Sequence, residues 1–162
     1  MAFPSEGGKE IQMLAATAAF LSMIAFAEGT GDRYDITYDY HIIRDFDRHP
    51  NVVIRGGRYY SSAAGRYQFL ASTYKEMQEK CDDVIDFTPP SQDAAAICML
   101  DLKGVNHHEE IKTPATFKEE VSKVAKVWAS LPGAGYGQPE RKLERLWRIY
   151  REGLATERGK RE

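Results

Sequence analysis

Glu28 is the residue whose setting in this 162-residue sequence points most sharply to chemistry. It directly follows a long apolar segment, residues 13–27, which reads MLAATAAFLSMIAFA. A carboxyl group beside buried apolar surface loses water, which disfavours its charged form and raises its pKa. Such a group stays protonated near neutral pH and can act as a general acid. The alternative is an ordinary glutamate at a helix end, exposed to solvent as most glutamates are.

Two glycine-containing stretches could lie against a ligand. In residues 61–69, small side chains would let a ligand approach the backbone, while Arg66, Tyr67 and Gln68 offer donors and a flat ring suited to a sugar. The alternative for this stretch is an ordinary helix start. Residues 131–138, LPGAGYGQ, look like a phosphate cradle but lack the Gly-Lys-Ser/Thr ending, and no predicted strand precedes them.

Other reactive side chains give weaker signals. Residues 107–110, HHEE, match no zinc-protease spacing and favour a solvated polar turn, and no GxSxG elbow occurs. Two cysteines exclude a disulfide framework, a four-thiolate zinc site and an iron–sulfur cluster. Cys81 and Cys98 could pair, but free buried thiols are favoured. We therefore expect no metal and no cofactor.

Composition bounds the class of protein. The length fits a single domain over residues 1–162, and 43% apolar against 28% charged residues is enough to build a core. A net charge of -2 and a pI near 6.1 argue against nucleic acid as a partner, because binding to a phosphate backbone needs a basic face.

The sequence predicts a mainly helical α+β fold with one small β region after the first helix. A first helix over residues 11–27 ends at the glycines after Glu28. Residues 33–60 are rich in Tyr, Ile, Val and Asp and predict an irregular β region with a hairpin turning near Gly56-Gly57. A cleft between the β region and the helices is a common place for a ligand.

Four further helices are predicted, with their boundaries set by breakers and caps. They are a helix over residues 65–80, one capped by Ser91 and stopped at Gly104, one opened by a Thr116/Glu119 capping box and running to Leu131, and one from Pro139 to Gly153. We expect residues 1–10 and the charged tail 156–162 to be frayed.

The apolar segment 13–27 could also be a membrane anchor or an export signal. With about 15 residues it is shorter than the roughly 20 that a spanning helix needs. Ala25-Phe26-Ala27 mimics a signal cleavage site, but the preceding residues carry two Glu and one Lys instead of a positive charge. A buried core helix is therefore favoured, with no stable membrane insertion.

Three separated segments together resemble the signature stretches of lambda-type phage endolysins. They are AFAEGT at residues 25–30, AGRYQ at 64–68 and WASLPGAGYGQ at 128–138. Tyr38-Asp39, His49-Pro50 and residues 91–94, SQDA, also resemble that family, so that the similarity covers roughly residues 20–146. The chain departs from the family in a shorter connection over residues 40–48, which leaves the role of Asp39 open.

The resemblance implies a lysozyme-like fold and a lytic transglycosylase that cleaves the β-1,4 bond between N-acetylmuramic acid and N-acetylglucosamine in peptidoglycan. The product would be a 1,6-anhydro sugar. By resemblance Glu28 is the single catalytic acid. The positions matched to the sugar groove are Ser62, Gly65, Arg66, Tyr67, Gln68, Tyr136 and Gln138, with Asp39 near it. The family also implies a protein made in the host cytoplasm and released through holin lesions, and we expect a monomer.

Two other functions stay open. A hydrolytic muramidase would use one of the aspartates between Asp32 and Asp47 to position water, because hydrolysis needs a second carboxylate. A catalytically idle wall-binding module would keep the groove without cleaving the glycan strand.

Overall fold

Helices supply most of the regular structure in residues 13–161, the part of the chain that the computed structural model describes. A two-stranded sheet and one 3₁₀ turn lie between the first two helices, so the expected mainly helical fold with a small β region is confirmed. The elements are α1 (Ala15–Glu28), a 3₁₀ turn (Tyr38–Tyr40), β1 (Ile54–Gly56), β2 (Tyr59–Ser61), α2 (Ala71–Lys80), α3 (Pro89–Leu102), α4 (Pro114–Ser122) and α5 (Leu143–Gly159).

Helix α1 forms the centre of the core. Its apolar side chains are buried around most of its circumference, and it packs mainly along α5. This confirms the interpretation of the apolar segment as a buried helix, although the helix begins at Ala15 and not before it. Residues 11 and 12 of the predicted helix lie outside the described residues. No helix in residues 13–161 has the length and apolar character needed to cross a membrane.

The end of α1 is fixed by glycine chemistry. Gly29 adopts a left-handed conformation, φ +80°, and its N–H donates to the Phe26 carbonyl while the N–H of Thr30 donates to that of Ala25. These bonds satisfy the last carbonyls of the helix. Glu28 is therefore the final residue of a buried, rigid helix.

The hairpin expected near Gly56-Gly57 is present. Strands β1 and β2 pair antiparallel, with Arg55 opposite Tyr60, and Gly57 supplies the positive φ of the turn. The rest of the region is irregular, held by isolated bridges such as Ile36 to Ile42. A Cβ on Gly56 would lie 2.6 Å from Cε2 of Tyr38, so glycine lets the hairpin pack onto the 3₁₀ turn.

The helix predicted over residues 65–80 begins only at Ala71. Gly65 and Gln68 both adopt positive φ, and Ala64 and Phe69 exchange two backbone hydrogen bonds of 3.0 Å across a tight loop. Tyr67 in this loop is buried together with Tyr74 and Met77 of α2, and these three positions are near helical spacing. The prediction therefore mistook a looped core segment for a helix.

Two predicted caps were also wrong. Helix α3 begins at Pro89, and the Ser91 hydroxyl accepts weak bonds from the N–H groups of Ile85 and Asp86 instead of capping the helix. Helix α4 begins at Pro114, where the Thr113 side chain accepts from the N–H of Thr116. The better cap lay three residues upstream, and residues 123–131 continue as turns instead of helix.

The last helix starts and stops later than predicted. It begins at Leu143, and Gly153 lies inside it, with a Cβ position 3.6 Å from the Cα of Ala19. The glycine therefore lies where α5 packs on α1 and does not end the helix. The helix continues through Gly159, which includes residues 156–159 of the charged tail.

Two side-chain predictions in the helical part are corrected. Cys81 and Cys98 form a disulfide that joins the end of α2 to α3, whereas free thiols had been favoured. His107 is buried instead of solvated, because it bonds to the Thr17 hydroxyl at 2.8 Å and to the Asp101 carboxylate at 2.7 Å. Sequence periodicity does not reveal that α1 offers a polar partner at Thr17.

Candidate active site

A groove with a volume of about 620 Å³ runs between the β region and the loop that precedes α5. Its β side, which we call the β lip, consists of residues 38–40 and 56–61. The opposite side is formed by Lys126, Val127, Ala129, Tyr136 and Gln138, and Glu28 lines the groove at the end of α1. The acid predicted from sequence thus faces a cavity of the size that ligand sites usually have.

The Glu28 side chain is half-buried and holds one protein hydrogen bond, from the Ser130 hydroxyl to its Oε1 at 3.0 Å. Burial raises the pKa of Glu28 from 4.5 to about 7, against the opposing effects of the Ser130 hydrogen bond and the positive charge of Arg141. A substantial fraction of this carboxyl group is therefore protonated at neutral pH and has a proton to donate.

Arg141 joins the loop before α5 to the end of α1. Its Nε donates to the Ala27 carbonyl at 3.1 Å, and its backbone N–H donates to the Ser130 carbonyl at 2.7 Å. The guanidinium also lies over the Phe26 ring, 5.6 Å from the centroid. These contacts hold Ser130 beside Glu28 and keep a positive charge near the carboxyl group.

Tyrosines dominate the walls of the groove. Tyr38, Tyr40, Tyr59 and Tyr60 belong to the β lip, and Tyr136 faces them from the other side. Tyr40 and Tyr60 are each about two-thirds exposed. Flat rings with a polar edge suit the C–H faces and hydroxyls of sugars, so the groove has the chemistry of a glycan site.

Comparisons with known proteins place this chain in a family. A family model described as Endolysin matches residues 18–156. This chain belongs to the endolysin family. It is 33% identical to the endolysin of Escherichia phage lambda over 149 residues, which covers 86% of this chain and 92% of the relative. It is also 33% identical to the endolysin of Escherichia phage P2, over 83% of this chain and 90% of the relative.

Solved structures give the same result for the fold of this endolysin. Bacteriophage lambda lysozyme complexed with a chitohexasaccharide superposes with a TM-score of 0.76 at 29% identity, over 88% of this chain and 96% of that one. A second structure of lambda lysozyme gives a TM-score of 0.72. The lysozyme-like fold implied by the resemblance is therefore confirmed.

Four of the predicted binding residues line the groove of this endolysin: Asp39, Gln68, Tyr136 and Gln138. Asp39 lies in the 3₁₀ turn with φ +60°, which directs the chain across the lip. The Gln68 amide donates to the carbonyls of Ile36 and Gly65, so it also ties the β region to the loop beneath it. The Tyr136 hydroxyl donates to the Lys126 carbonyl at 2.7 Å.

The other four predicted binding residues, Ser62, Gly65, Arg66 and Tyr67, do not line the groove. The Ser62 hydroxyl accepts from the N–H of Ala71 at 3.0 Å and so supports the start of α2. Gly65 is buried, and a Cβ there would collide with the Gln92 side chain. The structure gives these residues supporting roles, and their prediction as sugar contacts is corrected.

Arg66 and Tyr67 belong to a network behind the groove. Arg66 donates from Nε to the Gly31 carbonyl at 2.8 Å and from Nη1 to the Tyr67 hydroxyl at 3.0 Å. Tyr67 in turn donates to the Asp93 carboxylate at 2.6 Å. The Thr30 hydroxyl donates to the Arg66 carbonyl, so the network fixes the turn that follows Glu28. The polar side chains of Arg66 and Tyr67 suggested contacts with a ligand, whereas their hydrogen-bond partners in the structure are other protein groups.

Sequence reasoning missed several groove residues. It did not single out Tyr40, Tyr59 or Tyr60, although pairs of tyrosines beside a hairpin glycine are an available signal. It also missed Ser130 and Arg141, which lie about 100 residues from Glu28 along the chain. Their approach depends on tertiary packing, which no local pattern encodes.

Among residues 13–161, Glu28 and Asp39 are the carboxylic acids that line the groove. The other aspartates considered for water positioning, Asp32, Asp35, Asp45 and Asp47, lie outside its lining, and Asp35 is paired with Arg33 at 2.8 Å. Only Asp39 therefore stays a candidate for the second carboxylate of a hydrolase.

One group of described side chains offers ligand atoms suited to a metal. Atoms of Asp101, His107 and His108 lie within 4.8 Å of one another at the end of α3. None of these residues lines the groove, so this cluster has no direct part in chemistry at Glu28.

Proposed function

We propose that this chain is a lytic transglycosylase that cleaves the β-1,4 bond between N-acetylmuramic acid and N-acetylglucosamine in peptidoglycan. The observation that carries the proposal is a half-buried Glu28, with a pKa of about 7, at the side of a tyrosine-walled groove. Membership of the endolysin family supports a cell-wall substrate. The similarity to lambda lysozyme complexed with a chitohexasaccharide supports a glycan in the groove.

In the first half of the reaction, the protonated Glu28 carboxyl group donates its proton to the glycosidic oxygen. The bond from this oxygen to C1 of the muramic acid breaks, and C1 acquires oxocarbenium character. Burial supplies the acid form, because an ordinary glutamate with a pKa near 4.5 would be almost wholly ionised at pH 7. The neighbouring Ser130 hydroxyl keeps Oε1 oriented.

In the second half, the Glu28 carboxylate removes the proton from the C6 hydroxyl of the same muramic acid. The C6 oxygen attacks C1 and closes the 1,6-anhydro ring, which returns Glu28 to its acid form. This attack is intramolecular, so proximity supplies what a second carboxylate and a water supply in a hydrolase. No proton is gained or lost over the cycle.

A hydrolytic muramidase is the second candidate, because Asp39 lines the same groove and could position water. The two reactions differ in product mass, since the anhydro end is lighter than a reducing end by one water. Mass spectrometry of the soluble fragments from purified sacculi tests the proposal. We expect anhydro ends, and reducing ends that disappear in the Asp39→Asn variant would establish the hydrolase instead.

The proposal extends to how the enzyme reaches its substrate. By analogy with the family, we infer a monomer that is made in the host cytoplasm and released to the wall through holin lesions. Binding to sacculi without release of any fragment would instead make the chain a wall-binding module.

A further inference from the structure

A second cavity, with a volume of about 330 Å³, branches from the glycan groove. It lies between α2 and the end of α3, and we call it the side pocket. Leu70, Lys126 and Val127 line both the groove and the side pocket. The two spaces therefore meet at these residues, and a substrate in the groove could extend a branch into the pocket.

The side pocket is positively charged. Among the described residues, Lys80, Lys103 and Lys126 line it together with one acid, Glu76. The pKa of Glu76 is lowered by its ion pair of 2.6 Å with Lys80 and, more weakly, by the charge of Lys103, so the pocket keeps a net positive charge. Lys126 donates to the Ala134 carbonyl and lies over the Tyr136 ring, 5.0 Å from its centroid, so its charge is held at the junction with the groove. Within residues 13–161 Lys103 forms no ion pair.

Apolar surface surrounds these charges. Met77 and Met99 are buried at the pocket, while Leu70 and Leu102 are about half exposed at its edge. The combination of aliphatic surface and unneutralised lysine charge matches a short peptide that carries carboxylates and small alkyl side chains.

We propose that the side pocket receives the acidic peptide stem of the peptidoglycan strand that lies in the groove. This inference rests on the proposed function. The stem branches sideways from the glycan axis because it is joined to the lactyl group of muramic acid. It carries free carboxylates and is therefore acidic. Lys103 and Lys126 supply the opposite charge where the groove branches.

The stem does not change during glycosidic cleavage, so its contacts stabilise the bound substrate and the transition state equally. Such uniform binding lowers KM and leaves kcat unchanged. Lysine–carboxylate pairs at partly exposed sites contribute only a modest binding free energy. We therefore expect a KM difference of about two- to fivefold, and this difference should shrink as salt is added.

The test compares glycan strands that keep their stems with the same strands stripped of stems by an amidase. Both are digested by the wild type, by Lys103→Glu and by Lys160→Glu. Lys160 serves as the control, because both lysines are exposed at the C-cap of a long helix, while Lys160 lies outside both cavities. Lys160 also forms an ion pair of 3.2 Å with Glu157, but an exposed pair of this kind contributes little to stability. Equal melting temperatures of the three proteins ensure that the comparison is of folded chains.

We expect the wild type and Lys160→Glu to show a lower KM for stem-bearing strands, and Lys103→Glu to lose that preference with kcat unchanged. Equal KM values for the two substrates in the wild type, or a preference that survives in Lys103→Glu, would overturn the inference while the proposed function stands. A wild type that cleaves neither substrate would overturn the proposed function, and the inference with it.

Discussion

The two sides of the groove are built in opposite ways. On one side Glu28 ends a buried helix and is braced by Ser130 and Arg141. On the other side, the β lip consists of a hairpin with three residues in each strand and a 3₁₀ turn. Asp39 and Tyr40 in this turn both adopt positive φ. The side that would transfer protons is rigid and partly dry, whereas the side that would hold sugar is exposed and aromatic.

This difference separates reactivity from affinity. A proton donor gains from burial, because loss of water keeps it protonated. A sugar platform gains from exposure, because its rings must be free to meet a long polymer. Changes on the acid side should therefore alter kcat, pH dependence or folding stability, while changes on the lip should alter KM.

The largest expected effect is the loss of activity in Glu28→Gln, which keeps the shape of the side chain but cannot exchange the proton. General acid–base catalysis contributes about 10²- to 10⁴-fold, and here one residue would serve both steps, so release of wall fragments should fall at least 10³-fold. Turbidity of a sacculus suspension measures it. A folded variant that still clears the wall would contradict the role of Glu28.

The next comparison truncates one tyrosine on each side. Tyr67 is fully buried behind the acid, so Tyr67→Ala should lower the free energy of unfolding by about 3–5 kcal/mol. Tyr60 is 66% exposed on the lip, so Tyr60→Ala should leave stability within about 0.5 kcal/mol of the wild type. Urea denaturation measures both, and similar losses in the two variants would remove the contrast between the sides.

A third prediction concerns stability against pH. The folded-state pKa of Glu28 is raised from 4.5 to about 7, so the folded protein holds a proton that the unfolded chain releases. The stability that this bound proton adds is complete below pH 4.5. As the pH rises to about 7, the free energy of unfolding loses this contribution, about 3 kcal/mol. Glu28→Gln should therefore gain stability over the wild type between pH 5 and pH 8 in thermal melts. A constant difference across this range would contradict the raised pKa.

On the lip, Tyr60→Ala should raise KM for glycan strands by about two- to tenfold with little change in kcat. The loss of one stacking ring is worth about 0.5–1.5 kcal/mol. Steady-state kinetics on soluble strands measure the two constants, and a fall in kcat alone would place Tyr60 in the chemical step instead of in binding.

The smallest expected effect concerns the hydrogen bond between Ser130 and Glu28. Ser130→Ala removes the hydrogen bond that lowers the pKa of Glu28, so the alkaline limb of kcat/KM should move to higher pH. Ser122, an exposed residue at the end of α4, gives the matched control Ser122→Ala. An unmoved limb in Ser130→Ala, or an equal shift in the control, would show that Ser130 does not tune the acid.

The sequence predicted the acid side better than the lip. Glu28 was found because a continuous apolar run followed by glycines is a local signal for a buried helix end. Ser130 and Arg141 were not found, because they reach Glu28 only through packing. Arg66 and Tyr67 were misassigned to the sugar site because residue type reveals hydrogen-bonding capacity but not the partner, which here is Asp93 and the turn after α1.

Predictions of where helices begin and end failed where the local sequence signals were ambiguous. Thr116 and Thr113 are both plausible caps, and the chain used the one that precedes Pro114, which starts a helix without needing its N–H. Gly153 reads as a helix stop in one dimension, but in three dimensions it packs against Ala19. A neighbouring proline decided the first case, and in the second case the helix continues past a glycine that lies against α1.

The most direct test of the central claim is a titration of the Glu28 carboxyl carbon by NMR, with Glu28→Gln used to assign the signal. The account predicts a midpoint at about pH 7, shifted upward by burial beside the groove. A midpoint near 4.5 would mean that the carboxyl group is ordinarily solvated and ionised at neutral pH, which would contradict its role as the proton donor.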